Sequence, residues 1–213
     1  MADWKQKCDS EWKLTASGVH LPDDVNWKTV YEKKPLGRNL LKNPSPFGST
    51  HDTPPPEREV TGQPPNPNLP PQFSPTGDFS GWITTTERLP LDTSGIPPGV
   101  VVCYLPDFSW FSLKQQVDLK AEGLWDELLD TFQPDIAIED WYEETQLHAS
   151  IYELHVKLLA ADGQTVSHVF SGYGPGVRYV HFQHKVKTKF MVEFFGTMVS
   201  GSSVVVKATK SNP

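Results

Sequence analysis

The stretch IYELHVKLL, residues 151–159, carries the strongest secondary-structure signal in the sequence. Apolar side chains occupy every second position and polar or charged ones lie between them, in the order Tyr152, Glu153, Leu154, His155, Val156, Lys157 and Leu158. This period of two is typical of an antiparallel β-strand that buries one face and exposes the other. We therefore expect Leu154, Val156 and Leu158 to lie in the core of a β-sheet domain.

Other short segments carry strand signals and are separated by turn residues. They are VVVCYL (100–105), QQVDL (115–119), PDIAIEDWY (134–142), TVSHVF (165–170), VRYVHFQ (177–183), KFMVEFF (189–195) and SSVVVKA (202–208). Strands at intervals of about 8–12 residues are typical of a sandwich or barrel. Helical spacing of apolar residues occurs in 4–16 and 25–34, and a brief helix is expected within 119–132. The pattern predicts an all-β antiparallel domain with short N-terminal helices.

The composition argues against several classes of function. The net charge is −7, and the 19 basic residues are scattered along the 213-residue chain, whereas nucleic-acid binding requires Lys and Arg gathered in a stripe. The start of the sequence is charged, and no apolar run approaches the roughly 20 residues that span a bilayer. Cys8 and Cys103 match no zinc or redox spacing. These features predict a reduced, cytoplasmic protein with no nucleic-acid partner, no membrane span, no metal and no cofactor.

A proline-rich tract interrupts the first half of the chain. Eleven of the 20 prolines lie between Pro44 and Pro75, with few residues able to anchor a core. Such a composition favours an exposed, semi-rigid spacer. Overlapping P-x-x-P spacings at Pro64, Pro67 and Pro70 leave docking onto an SH3-type groove as an alternative.

The familiar catalytic patterns do not occur in the sequence, which has no GxSxG, no GxxxxGK[ST] and no HExxH. His181 and His184 are three positions apart on an expected strand, so their side chains leave opposite faces and cannot chelate one metal. We expect both to be surface histidines. A solvated acidic loop is expected rather than a calcium site from the carboxylates Asp135, Glu139, Asp140, Glu143 and Glu144, because their spacing is not that of an EF-hand. No catalytic residue is assigned.

Several longer blocks carry a family resemblance. They are GRNLLKNP (37–44), QQVDLKAEGLWDELLDTFQPDIAIEDWY (115–142), YELHVKLL (152–159), SHVFSGYGPGVRYVHFQH (167–184) and FGTMVSGSSVVV (195–206). In this order they resemble the F-box-associated domain of the sugar-recognising F-box proteins. The resemblance implies a β-sandwich of jelly-roll, galactose-binding-like form. It also implies a short helical arm over 1–36 that resembles the linker between F-box and sandwich, a start of the domain with the proline-rich loop over 37–80, and the F-box-associated sandwich over 81–213.

Two departures from the family pattern bear on function. The F-box helices have no counterpart in the sequence, so we do not expect binding to the Skp adaptor of a cullin ubiquitin ligase. Between LLAADGQ (158–164) and TVSHVF (165–170) the family has a longer stretch that includes a strand. A jelly roll that lacks a strand must expose or re-pair the edge of a neighbouring strand.

The segment KFMVEFFG, residues 189–196, contains the candidate binding residues. In the glycan-binding relatives a Tyr-Trp pair that packs on the chitobiose of a high-mannose N-glycan precedes the equivalent of FFG, and its positions fall on Phe190 and Met191 here. A sugar needs an aromatic face for its C–H surface and polar groups for its hydroxyls. The pair Phe190 and Met191 keeps part of the first and none of the second, so it is expected to be a degraded glycan platform.

The expected function is a non-enzymatic protein-binding module or adaptor with weakened or lost recognition of high-mannose N-glycans, whose partners are proteins and include possible glycoproteins. One alternative keeps lectin-like recognition of unfolded N-glycoproteins in ubiquitin-linked quality control. Another, suggested by the name of one branch of the family, is a cell-surface receptor of cytotoxic cells. The absence of a signal peptide and of a spanning helix from the sequence weighs against the receptor.

Overall fold

Two facing antiparallel sheets form the body of the protein. The structure is a computed structural model that describes residues 3–49, 76–87, 110–143, 150–188 and 198–210. Its helices are α1 (Trp4–Trp12) and α2 (Trp27–Lys33), with a 3₁₀ turn at Thr15–Ser17 and a π-helical turn at Leu128–Phe132. Its strands are β1 (Phe47–Ser49), β2 (Thr76–Asp78), β3 (Ile83–Glu87), β4 (Trp110–Asp118), β5 (Ile136–Glu143), β6 (Ser150–Leu159), β7 (Thr165–Ser167), β8 (Tyr179–Thr188) and β9 (Met198–Val206).

The larger sheet has the strand order β3-β4-β8-β6-β7, and neighbouring strands run antiparallel throughout. The smaller sheet pairs β5 with β9, also antiparallel. Val204 and Val206 of β9 pack in the same core as Phe182 of β8, so the smaller sheet covers one face of the larger one. The predicted all-β antiparallel sandwich with short N-terminal helices is therefore confirmed.

Most of the predicted strands are found where the alternation indicates them. QQVDL, PDIAIEDWY, IYELHVKLL, VRYVHFQ and SSVVVKA fall largely within β4, β5, β6, β8 and β9. Of TVSHVF only Thr165–Ser167 is strand, because the chain bends away from β6 after that point. The segments VVVCYL and KFMVEFF lie outside the described residues, as does most of the proline-rich tract.

The two N-terminal helices form at the predicted positions and join the core of the sandwich. Each begins at a side chain that accepts a backbone hydrogen bond, from Gln6 N to Asp3 and from Thr29 N to Asn26. The indole of Trp27 meets Trp125 edge to face at 4.9 Å between ring centroids. Residues within 3–36 therefore contribute to the core, and the division of the chain at 36 and 80 stays a prediction.

The expected burial along β6 holds only in part. Leu158 is fully buried and Val156 packs against the core, but Leu154 is 38% exposed, so the prediction that Leu154 is buried is wrong. The reason lies in the neighbouring strand, because β7 pairs with β6 only at Leu158 and Leu159. Among the described residues no strand lies beside the rest of that edge, and Leu154 loses its cover.

A short ribbon closes the ends of the proline-rich tract. β1 pairs antiparallel with β2, which places Phe47 opposite Asp78 and Gly48 opposite Gly77. A Cβ atom added at Gly77 would lie 2.2 Å from the carbonyl oxygen of Phe47, and Gly77 has φ +129°. Glycine is therefore required at this close approach of two backbones.

The glycine-rich segment 171–179 is fastened by an arginine and an aspartate. Arg178 Nη1 and Nη2 donate to the two carboxylate oxygens of Asp130, both at 2.8 Å, and Gly176 N donates to the same carboxylate at 2.8 Å. The hydrogen bond from Arg178 lowers the pKa of Asp130 below its ordinary value. Gly174 and Gly176 have positive φ, which suits the turn that leads into β8.

Candidate functional site

The candidate residues Phe190 and Met191 lie outside the described residues, in the segment that connects β8 to β9. That segment starts after Thr188 and ends before Met198. β6 begins opposite Thr188 and β5 ends opposite Met198, so four strand ends meet at one end of the sandwich. The candidate site therefore consists of the described residues near these four strand ends.

Four polar side chains meet between the two sheets close to this end, and we call Asp140, Tyr152, His184 and Ser202 the buried polar cluster. Ser202 Oγ donates to Asp140 Oδ1 at 2.9 Å, and the Tyr152 hydroxyl donates to Asp140 Oδ2. His184 Nε2 lies 3.1 Å from Ser202 Oγ and Nδ1 lies 2.7 Å from the Tyr152 hydroxyl. Because the Ser202 proton is held by Asp140, we assign the Nε2 proton of His184 to the bond with Ser202.

The positions of these four residues follow from strand register. His184 is opposite Leu154 on β6 and has the same phase as Val180 and Phe182, so its side chain points between the sheets. The pairing of β5 with β9 shifts between Glu139 and Trp141, so Gly201 and Ser202 together oppose Asp140. Gly201 has φ +64°, which is typical of a β-bulge. The bulge turns Asp140 and Ser202 toward each other.

Burial governs the protonation of the cluster. Burial lowers the pKa of His184, and the nearby carboxylate of Asp140 acts in the opposite direction. Burial also raises the pKa of Tyr152, and its hydrogen bond to Asp140 raises it further. The Tyr152 hydroxyl and the His184 ring are therefore both neutral at pH 7. The single proton of the Tyr152 hydroxyl faces two acceptors, Asp140 Oδ2 and the unprotonated Nδ1 of His184, and the cluster ties β5 and β9 to β6 and β8.

The surface beside the cluster is aromatic and apolar, and we call Tyr142, Tyr152 and Leu154 the end surface. The ring of Tyr142 stacks on that of Tyr152 at 4.6 Å between centroids and 23° between planes. Tyr142 is 55% exposed, so one face of its ring is open to solvent. Trp141, the preceding residue, is exposed on the other side of β5. The end surface offers stacking area, while the polar groups next to it are turned inward and bonded to one another.

The residue types of the buried polar cluster raise the question of nucleophilic catalysis. A serine, a histidine and an aspartate form a catalytic triad when histidine removes the serine proton and the aspartate orients histidine. Here Ser202 donates to Asp140 rather than to His184, and Ser202 and His184 are buried. A substrate carbonyl cannot reach Ser202 Oγ. The arrangement serves cohesion between the sheets and does not support acyl transfer.

Two expectations from the sequence are corrected by this geometry. His181 and His184 do leave opposite faces of β8, but the prediction that His184 lies on the surface is wrong, because the smaller sheet covers its face. The prediction of a solvated acidic loop is wrong for Asp135, which is buried, and for Asp140, whose carboxylate is buried on β5. The signal for His184 and Asp140 was present in the sequence, since each shares the phase of buried apolar neighbours on its strand.

Comparison with known sequences decides the family. A sequence model described as the F-box associated region matches residues 31–166 and 160–206. The chain belongs to the F-box-associated family. The two matched blocks of the F-box-associated domain meet at residues 160–166, in the turn from β6 to β7. This is the place where the sequence indicated a shortened stretch.

Individual relatives agree with the family match. F-box only protein 50 of Danio rerio is 60% identical over 98% of this chain and 97% of the relative. F-box only protein 50 of Homo sapiens is 39% identical over 92% of this chain and 72% of the relative. F-box only protein 6 of Homo sapiens is 32% identical over 97% of this chain and 71% of the relative. The likeness therefore extends through the helices as well as the sandwich of this F-box-associated chain.

Within the described ranges no group of three or more His, Cys, Asp or Glu side chains is arranged to hold a metal ion. No helix among those residues has the length and apolar composition needed to cross a membrane.

Proposed function

We propose that this chain is a non-enzymatic protein-binding adaptor of the F-box-associated family in which recognition of high-mannose N-glycans is weakened or lost. One observation carries the proposal. At the end of the sandwich where a glycan platform is expected, the polar side chains of the buried polar cluster make their hydrogen bonds with one another. The end surface beside them is aromatic and apolar. Such a surface suits protein contacts better than sugar hydroxyls.

The sequence at the predicted platform supports the same conclusion. Phe190 and Met191 stand where glycan-binding relatives have Tyr and Trp, so two polar groups that fix sugar hydroxyls are missing. Losing two oriented hydrogen bonds at about 1 kcal/mol each and the stacking face of the Trp ring at about 1.5 kcal/mol weakens a micromolar site by roughly 3.5 kcal/mol, which brings its affinity close to millimolar. Glycan binding by the unmodified chain is therefore expected to be millimolar or weaker.

Calorimetric titration with chitobiose tests this proposal. The unmodified chain should release no measurable heat at micromolar concentrations, and the double variant Phe190→Tyr with Met191→Trp should gain affinity because it restores both stacking area and polar groups. The matched control is Trp141→Phe, which alters an exposed aromatic residue on the outer side of β5 and should change nothing. Micromolar binding by the unmodified chain would refute the loss of glycan recognition.

Lectin-like recognition of unfolded N-glycoproteins is the second candidate, and the open ring face of Tyr142 favours it. An exposed aromatic ring can stack on the C–H face of a sugar without help from Phe190 or Met191. If the chain does bind chitobiose, Tyr142→Ala should abolish the binding and lower the melting temperature by only a few degrees, because the stack on Tyr152 is lost. Affinity capture from lysate with and without endoglycosidase separates the two candidates, because only glycan-dependent partners disappear after deglycosylation.

Absence of Skp binding and a cytoplasmic location are further parts of the proposal. The helices that precede the sandwich in the described residues pack their apolar faces into its core, with Cys8, Trp27 and Val30 buried. These helix faces are therefore unavailable for binding to the Skp adaptor. Pull-down with purified Skp and fractionation of intact cells test the two statements, and recovery of the chain with Skp or at the cell surface would contradict them.

A further inference from the structure

The outer face of the larger sheet, which points away from β5 and β9, carries basic and polar side chains. Phe182 of β8 lies in the core, so His181 and Gln183 on either side of it point outward. Strand register places Lys114 of β4 opposite Gln183. It also places Lys157 of β6 opposite His181. We call Lys114, Lys157, His181 and Gln183 the outer cluster.

Three adjacent strands contribute the outer cluster. β8 lies between β4 and β6, so the two lysines stand on either side of the histidine and the glutamine, offset by two residues along the strands. Strands are spaced about 4.8 Å apart and rise about 3.4 Å per residue, which puts the two lysine backbones roughly 12 Å apart. The four-carbon stem of lysine is flexible, so both ammonium groups can reach the space above β8. All four side chains are partly exposed to solvent.

Electrostatic interactions within the outer cluster show that its members lie close to one another. Burial lowers the pKa of His181 below its ordinary value, and its hydrogen bond with Gln183 acts in the opposite direction. The positive charges of Lys157 and Lys114 lower the pKa of His181 further, and His155 has a smaller effect in the same direction. His181 is therefore neutral at pH 7 and lies in the field of two ammonium groups.

The acidic side chains that the structure describes on this face already have partners. Glu153 Oε2 lies 2.7 Å from Nε2 of His155. Asp118 Oδ1 accepts a hydrogen bond from the backbone N of Ala121 at 2.9 Å. The two lysines of the outer cluster therefore form a local positive region, although the chain as a whole carries a net charge of −7. Such a region favours an anion from outside the chain.

We propose that the outer cluster binds a phosphate group between its two lysines, above His181 and Gln183. Donors from three strands surround this position, which suits a tetrahedral oxyanion with several acceptor oxygens; a planar carboxylate is better matched by the fork of an arginine. A phosphate ester carries a charge of about −1.5 to −2 at pH 7, so it balances two ammonium groups. The side-chain nitrogen of Gln183 supplies a further donor, because the side-chain oxygen lies 3.5 Å from His181 Nε2.

Proton NMR of the full chain tests the site through the ring signals of His181, which the variant His181→Gln identifies. Inorganic phosphate should shift these signals saturably and raise the pKa of His181, whereas sodium chloride at equal ionic strength should not, because it only screens charge. Lys114→Gln and Lys157→Gln should each weaken phosphate binding about tenfold. The matched control is Lys13→Gln, which removes an exposed lysine after α1 and should leave the binding unchanged. Melting curves should show that all three lysine variants are folded.

Phosphorylated proteins and free phosphate esters both carry this group, and a peptide separates the two sources. If a short peptide with one phosphoserine binds more tightly than inorganic phosphate, the ligand is a phosphorylated protein; equal binding indicates a free phosphate ester. The same peptide with unmodified serine should not bind. The outer cluster lies on the face of the larger sheet opposite the end surface, so the result does not depend on whether glycan recognition is lost. No saturable shift, an equal shift with chloride, or equal weakening by Lys13→Gln would overturn the proposal.

Discussion

Replacing Asp140 by alanine should destabilise the fold more than its position near a strand end suggests. The carboxylate accepts hydrogen bonds from the Tyr152 hydroxyl and from Ser202 Oγ, and both donors are held between the sheets. After the substitution the Tyr152 hydroxyl keeps an acceptor, since His184 Nδ1 is 2.7 Å away. The Ser202 hydroxyl keeps none, because the nearby Nε2 of His184 is itself a donor to Ser202.

The magnitude follows from this count of partners. A buried hydrogen-bonding group left without its partner costs about 1–3 kcal/mol, and a lost hydrogen bond to a charged group costs about 1.5–3 kcal/mol. Because Tyr152 retains an acceptor, we expect a loss of about 3 kcal/mol for Asp140→Ala. For a chain of this size that corresponds to a decrease of about 6–12 °C in the melting temperature.

Urea denaturation followed by tryptophan fluorescence measures the loss of free energy of unfolding. Asp140→Asn keeps the shape and one acceptor oxygen, so it should lose less than Asp140→Ala. Glu139→Ala is the matched control, because the preceding side chain on β5 is exposed and should change stability by less than about 0.5 kcal/mol. A value for Asp140→Ala no larger than that of Glu139→Ala would refute the argument for a cohesive cluster.

Two further predictions follow from burial. Leu158→Ala should cost about 2–5 kcal/mol by opening a cavity, whereas Leu154→Ala should cost only about 1 kcal/mol because Leu154 is partly exposed; equal losses in denaturation experiments would contradict the assigned edge. Because burial lowers the folded-state pKa of His184, the unfolded chain binds a proton that the folded chain excludes once the pH falls below about 6.5. Stability should therefore be retained above that pH and fall with acidification until the folded-state pKa is reached, and His184→Gln should flatten this part of the stability profile.

The sequence was informative where structure depends on neighbours along the chain. The alternation around Leu158 located β6, and the capping residues Asp3 and Asn26 precede the two predicted helices. Alternation could not predict that Leu154 is partly exposed. The exposure of this side chain depends on whether another strand, distant in sequence, lies beside it. The shortened connection before Thr165 was the one indication in the sequence, since a jelly roll that lacks a strand must expose or re-pair a neighbouring edge.

The buried polar cluster could be recognised only partly from sequence. Asp140 and Ser202 are 62 positions apart, and their contact depends on the bulge at Gly201. No local sequence pattern predicts that bulge. His184 did carry a signal, because it shares the phase of Phe182 on an apolar face. A polar residue at such a position requires partners inside the fold, and that requirement was a stronger indication than the general preference of histidine for surfaces.

The ribbon of β1 and β2 makes the proline-rich tract an insertion point. Because Phe47–Ser49 and Thr76–Asp78 are adjacent antiparallel strands, the two ends of the tract are held side by side. The entropic cost of closing a loop grows only slowly with its length, so a segment held at such a base can lengthen or shorten with little effect on the sandwich. The tract can therefore diverge under its own selection, and a reporter domain inserted there should leave the end surface and the edge of β6 undisturbed.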